Sequence, residues 1–399
     1  MTTHTPLDLA ALGEDFARDP YPVYERLRTE GPVHRVWMPE GAEVWLVVGY
    51  EEARAALTDP RLSKQWSNAA ESFPIKSPSG SHMMNSDMPQ HTRLRKLVAR
   101  EFTSRRIEAL RPRVQEICDA LLSQMLAAPE GRADLVDSFS FPLPMSVICE
   151  LLGVPFLDQA EVRRWADAAI SSQDPVERAA AAADAARFIA TLVEQKRTRP
   201  GADLLSALIR TVDEEGDRLS VDELMGTVFL LIVAGHETTT NLIGNGVHAL
   251  LTHPDQLSLL RSDFSLMDAA VEEMLRYDGA VESATFRFAT ESFELGGRFI
   301  TAGEAVMVDL NAANRDAARF ATPDRFDIRR STAGHVAFGH GIHHCLGAPL
   351  ARMEARIAIR SLLEHCPDLA LDLSAPAVRW RHGILVRGPH HLPIRFAAN

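Results

Sequence analysis

Cysteine is scarce in this chain. Cys118, Cys149, Cys345 and Cys366 are the only four thiols among 399 residues. None forms a C-x-x-C pair, and so long and cysteine-poor a chain is no disulfide scaffold. A reducing, cytoplasmic setting fits, with Cys118 and Cys149 expected as buried thiols in apolar helical runs. Positive charge is also in deficit: 42 Lys and Arg face 54 Asp and Glu, for a net charge of −12. That argues against general binding to nucleic acid or to an anionic membrane. Long apolar runs are missing as well. The longest, near 224–234, is too short to span a bilayer. The opening MTTHTPLDLAALGEDF has neither a basic region nor an apolar one, so no signal peptide is expected. No internal repeat is visible.

What remains is an ordinary globular composition, 46% hydrophobic and 24% charged. The pattern is mainly α with a minor β region, read as a single domain over 1–399. Its small β-rich part lies near 33–50, 284–310 and 370–396, and its helical part over 91–280 and 346–364. VHRVWM and EVWLVVG read as a hairpin joined by PEGA. Residues 63–90 read as a long loop with at most a short helix, and long ordered loops are often functional. Ser220 and Glu223 have capping-box spacing and start a long helix that ends before Pro254. Short strands are expected at 284–289, 293–295 and 305–308, an irregular stretch over 311–344, and a last helix over 346–364.

FGHGIHHCLG, residues 338–347, concentrates three histidines, a cysteine and three glycines. A histidine-rich zinc hydrolase is one reading of it. The cysteine offers another. Cys345 follows a glycine-rich loop and precedes a helical pattern, so it stands near a helix N-terminus. Backbone N–H groups and the helix dipole there favour a thiolate. Phe338 can fold over the sulfur. Gly341 and Gly347 permit a tight loop and close approach of a flat cofactor.

This stretch matches F-x-x-G-x-x-x-C-x-G, and the chain resembles a bacterial cytochrome P-450 along nearly its whole length. The resemblance implies a P-450 fold with haem b (iron protoporphyrin IX) between the long helix and the cysteine-loop helix. Cys345 would be the axial thiolate, pushing electron density toward O–O cleavage. His340 and His344 then have no ligand role. AGHETT, Ala234 to Thr239, falls in the middle of the long helix. Ala234 and Thr238 are four apart and share a face, with small residues leaving room for O₂ and substrate. By resemblance Glu237 and Thr238 are the acid–alcohol pair that delivers protons. H-E-x-x-H would need a histidine at 240, where Thr240 stands, which counts against a zinc protease. Glu273 and Arg276 match the family's structural E-x-x-R pair, tying their helix to the segment that carries Asn314, Arg315 and Arg325.

Haem propionates need buried cationic or donor partners. By resemblance these are His91, Arg95, Arg287 and His343. Residues 91–114 hold eight Lys or Arg against Glu101 and Glu108, a patch suited to steering an acidic ferredoxin. No G-x-G-x-x-G follows a strand, so electrons would come from a separate ferredoxin and ferredoxin reductase. Four departures from the family pattern, at Gln90, Asp278-Gly279-Ala280, Ala317 and His344, remove no required chemical group.

The resulting expectation is a monomeric haem-thiolate monooxygenase that inserts one oxygen atom from O₂ into a C–H bond. Its substrate would be a bulky apolar small molecule such as a macrolide, polyketide or terpenoid, as in actinomycete hydroxylases. Phe73, Met83, Met84, Val281, Ile384 and Leu385 are candidates to line the pocket. The alternative is a haem-thiolate sensor without turnover, which would not need Glu237 and Thr238.

Overall fold

The computed structural model describes residues 6–38, 41–75, 80–154, 174–211, 216–382 and 385–397, together with 161, 162, 164, 165 and 168. Helices dominate, and one of them organises the rest. It spans Val221–Thr252, 32 residues or about 48 Å at the usual rise per residue. Ser220 caps it as the spacing predicts. The Glu223 N–H donates to Ser220 Oγ at 3.2 Å, and the Ser220 N–H donates to Glu223 Oε2 at 2.9 Å. Pro254 opens the next helix, so this one stops at Thr252. Apart from its first turn and one narrow accessible stripe it is buried nearly all round, as a helix through the centre of a domain must be.

Against this axis pack Pro142–Leu152, Pro175–Thr198, Met267–Tyr277 and Ala348–His365. Ala348–His365 follows the cysteine loop and also packs on Ser104–Leu126. Their apolar faces merge into one large core that includes Leu94, Phe139, Ile232, Leu250, Met353 and Leu362. No helix of the described residues is long and apolar enough to cross a membrane.

The β-rich part is a six-stranded sheet in the order Leu7–Asp8, Val33–Trp37, Glu43–Val47, Ala305–Val308, Arg287–Ala289, Leu62–Ser63. Val33–Trp37 and Glu43–Val47 form the expected antiparallel pair; Pro39 and Glu40, in the expected turn, lie outside the described residues. The strand expected at 284–289 is shorter. Only Arg287–Ala289 joins the sheet, while residues 284–286 remain partly accessible. The loop expected over 63–90 contributes the Leu62–Ser63 strand and two short 3-10 turns. Its end crosses the long helix backbone to backbone: a Cβ on Gly226 would lie 2.5 Å from the Ser81 carbonyl oxygen.

Glu273 and Arg276 are fully buried, not a surface pair. Arg276 forks Glu273 at 2.7 and 2.8 Å and donates to the carbonyls of Asn314 and Pro323. Glu273 in turn accepts from the Asp327 N–H at 2.9 Å. The pair therefore pins the irregular 314–330 segment that leads to the cysteine loop.

A second buried polar joint ties the N-terminal helix Tyr21–Glu30 to the sheet. The Tyr24 hydroxyl donates to Glu282 at 2.5 Å, and Asp309 lies beside them, accepting from Ser283 at 3.2 Å. Burial pushes both carboxyls upward, and each sits in the other's field. Their folded pKa values lie above the unfolded ones, so their contribution to stability is complete at low pH and is lost as pH rises through the folded values. Glu282 is pushed up to about 8. Urea midpoints of the protein should therefore fall between about pH 6 and pH 8.5, and Glu282→Gln should flatten that slope. An unchanged slope in the variant would remove this joint from the account.

Candidate haem-thiolate site

The cysteine loop is shaped by two glycines in left-handed conformations, Gly339 at φ +72° and Gly341 at φ +73°. The Cys345 N–H donates to the Phe338 carbonyl at 2.9 Å, closing the loop. Cys345 has accessible surface, yet desolvation is the largest influence on its thiol and raises it. Both are explained if the sulfur faces an interior space and not bulk water. The Gly347 and Ala348 N–H groups and the charges of Arg95 and Arg352 act the other way, favouring thiolate. Arg352 stacks 4.5 Å from the Phe338 ring centroid and forks Glu272. That holds Phe338 from behind.

Gly341 makes room for Thr58, whose Cγ2 would lie 2.8 Å from a Cβ there, so it serves the packing of helix Tyr50–Thr58. Gly347 is the glycine beside the sulfur: a Cβ there would sit 3.9 Å from Cys345 Sγ.

Ala234 and Thr238 form a second accessible spot, inside a helix whose neighbouring residues Ile232, His236 and Glu237 are buried. Met225, Phe229 and Val233 continue this half-exposed stripe at helical spacing. The Thr238 hydroxyl donates back to the Ala234 carbonyl at 2.8 Å. Glu237 does not stand beside it, because adjacent helix residues do not face each other. Its carboxylate is buried, 3.4 Å from Arg381 Nη1 and 3.6 Å from His236 Nε2. Sequence reasoning missed Arg381. It follows a two-residue strand far along the chain, and no local pattern links it to Glu237.

The expected propionate partners assemble only in part as pictured. His91 is buried, and neither ring nitrogen has a hydrogen-bond partner. Its ring lies 4.3 Å from that of His343, centroid to centroid. Burial first, then the neighbouring His91, Lys64, Arg287 and Arg95, push His343 down to about 2. Arg287 is buried, its guanidinium donating to the Leu57 carbonyl at 3.5 Å, and burial lowers it to about 10. Arg95, whose charge bears on His91 and His343, also donates to the His344 carbonyl at 2.7 Å, linking its helix to the cysteine loop. The basic run around them is less free than its sequence implied. Arg93 turns to Asp217 and Glu223, and Arg106, Arg111 and Arg113 pair with Glu101, Glu108, Glu116 and Glu150.

Of the pocket candidates, Met83 is buried and Met84 packs against the same core. Phe73 does not join them: its ring packs on Trp66, Phe286 and Phe288. Val281 bridges to Val386, and Leu385 is exposed. Ile384 lies outside the described residues.

A model of the cytochrome P450 family matches residues 10–164, 176–263 and 258–371. The chain belongs to that family, and its class is monooxygenase. It is 59% identical over 398 residues to cytochrome P450 monooxygenase PikC of Streptomyces venezuelae, covering 99% of this chain and 96% of the relative. It is 46% identical over 410 residues to 6-deoxyerythronolide B hydroxylase of Saccharopolyspora erythraea, covering 99% of each. The solved structure of the tirandamycin C-bound P450 monooxygenase TamI superposes with a TM-score of 0.90 at 45% identity, covering 98% of this chain and 100% of that one. Membership implies a haem-thiolate cofactor. The residues present fit one: a thiol with convergent amide donors, and a buried group of cations and unpartnered imidazole nitrogens able to receive carboxylates.

The two glycines of the cysteine loop should respond differently. Gly341→Ala meets both a strained φ and Thr58, and should cost at least about 1 kcal/mol. Gly347→Ala meets only an ordinary contact. Thermal unfolding of the two variants should separate them; equal melting temperatures would contradict this reading of the loop.

Proposed function

We propose that the Cys345 thiolate would hold the iron of a haem b, and that the protein hydroxylates a bulky apolar small molecule of the macrolide or polyketide kind. The observation that carries this reading is the Cys345 thiol, faced by the N–H groups of Gly347 and Ala348 in a loop flanked by buried, unpartnered His91. When bound, the haem supplies the redox chemistry by which O₂ is split and one oxygen atom enters a C–H bond. The protein's part is to hold and protect. Gly347, Ala348, Arg95 and Arg352 favour the anionic sulfur against the cost of its burial. His91, His343 and Arg287, with Arg95 bracing the loop, receive the carboxylates.

On the other side Ala234 leaves space, and Thr238 Oγ1 offers its hydroxyl proton by releasing the Ala234 carbonyl. Glu237 passes on the replacement proton: turning from Arg381, its carboxylate takes a proton up from solvent and delivers it to Thr238. Met225, Phe229 and Val233 with Met83 and Met84 give the substrate an apolar wall. The substrate class rests on relatives named for macrolide and polyketide hydroxylation. Electrons come from a separate ferredoxin and its reductase, and the chain works as a cytoplasmic monomer.

The purified protein, reduced and exposed to CO, should show the red-shifted Soret band of a thiolate haem, and Cys345→Ala should abolish it. A band at the position of imidazole-ligated haem would overturn the assignment. Thr238→Ala should keep that band but consume several-fold more reductant per product formed. Unchanged coupling would leave Thr238 without a part in proton delivery.

A further inference from the structure

Lys64 is a buried lysine that the reading above does not use. It follows the Leu62–Ser63 strand, which pairs antiparallel with Arg287–Ala289 in the register Leu62 to Ala289 and Ser63 to Phe288. Continuing that register by one residue sets Lys64 opposite Arg287. Both are nearly sealed, with 4% and 3% of their surfaces accessible. Like charges directly opposite across a strand pair are destabilising, and more so where water is excluded. Each lies in the other's field, and Asp87 is the carboxylate that bears on both. Asp87 is already engaged, accepting from the Lys64 N–H at 2.8 Å and from the Ser63 hydroxyl. With Arg95 close enough to act on His343 beside them, three cations face one carboxylate. That excess matches the charge of two further carboxylates.

The hydrogen bonds of Lys64 show how it would meet an anion. Its ammonium has three protons. Two go to the carbonyls of Thr285 and Phe286, each at 2.8 Å, and the third to the Thr285 hydroxyl oxygen. A hydroxyl that accepts from an ammonium must point its own proton elsewhere. Thr285 lies in the partly accessible 284–286 turn, two residues before Arg287.

We propose that Lys64 belongs to the propionate-binding set, neutralising a porphyrin carboxylate across Thr285, whose hydroxyl it orients as the donor. Lys64 is thus a positioning residue, and Thr285 makes the contact. Burial, and then Arg287, lower the Lys64 ammonium well below its ordinary value without an anion. An incoming carboxylate reverses that trend. The inference rests on the haem reading of the site.

The test compares two probes on the full-length chain freed of haem: iron protoporphyrin IX and its dimethyl ester, which keeps the ring but has no free carboxylate. Lys64→Met should weaken binding of the free acid by about tenfold or more and leave binding of the ester unchanged. Equal weakening for both porphyrins would make Lys64 a purely structural residue and overturn the proposal, as would no change for either. Should Lys64→Met fail to fold, Thr285→Val removes the aimed hydroxyl and keeps the ammonium. It should show the same selective loss for the free acid, and unchanged free-acid affinity would overturn the proposal. A wild-type chain that binds the free acid without a thiolate-type Soret band fails the haem reading itself, a result distinct from failure of the Lys64 assignment.

Discussion

Buried positive charge is the constraint on which this site depends. Arg287 and Lys64 are nearly sealed from water, and His91 presents two unpartnered ring nitrogens beside them. No folded chain gains by burying such groups for their own sake, because the desolvation cost is several kcal/mol per ion. A dianionic cofactor, as proposed, would offset that cost and be held by it. The same field keeps His343 neutral in spite of its place beside the thiol, since burial and the surrounding cations all oppose its protonation.

The scaffold around that charge is rigid where it must be. Glu273 and Arg276, fully buried and bonded to the 314–330 segment, set the course of the chain into the cysteine loop. Glu272, one residue earlier, holds Arg352 against Phe338. Two consecutive glutamates on one helix thus brace the loop from behind. Through the middle of the long helix, Met225, Phe229, Val233, Ala234 and Thr238 form a half-exposed stripe among buried neighbours. That stripe is the face the proposed function gives to the substrate.

Much of this was legible in the sequence because the signals were local. The capping box at Ser220 and Glu223, the proline at 254, and the i, i+3 spacing of Glu273 and Arg276 each act over a few residues, and each appears in the structure as drawn. What was not legible depended on distant pairings. Lys64 reads as a loop cation until strand register sets it against Arg287. Arg381 reaches Glu237 from the far end of the chain. The flexibility of Gly341 was visible in the sequence, and its packing against Thr58 was not. Phe73 read as a pocket wall because its apolar character was visible and its aromatic partners were not.

The most direct test of the central claim is a crystal structure of the purified protein with an anomalous difference map recorded at the iron edge. The account predicts a single iron peak bonded to Cys345 Sγ, with the two porphyrin carboxylates lying among His91, His343, Arg287 and Thr285. A peak on the imidazoles of His340, His343 or His344, or carboxylates directed away from the buried cations, would contradict it.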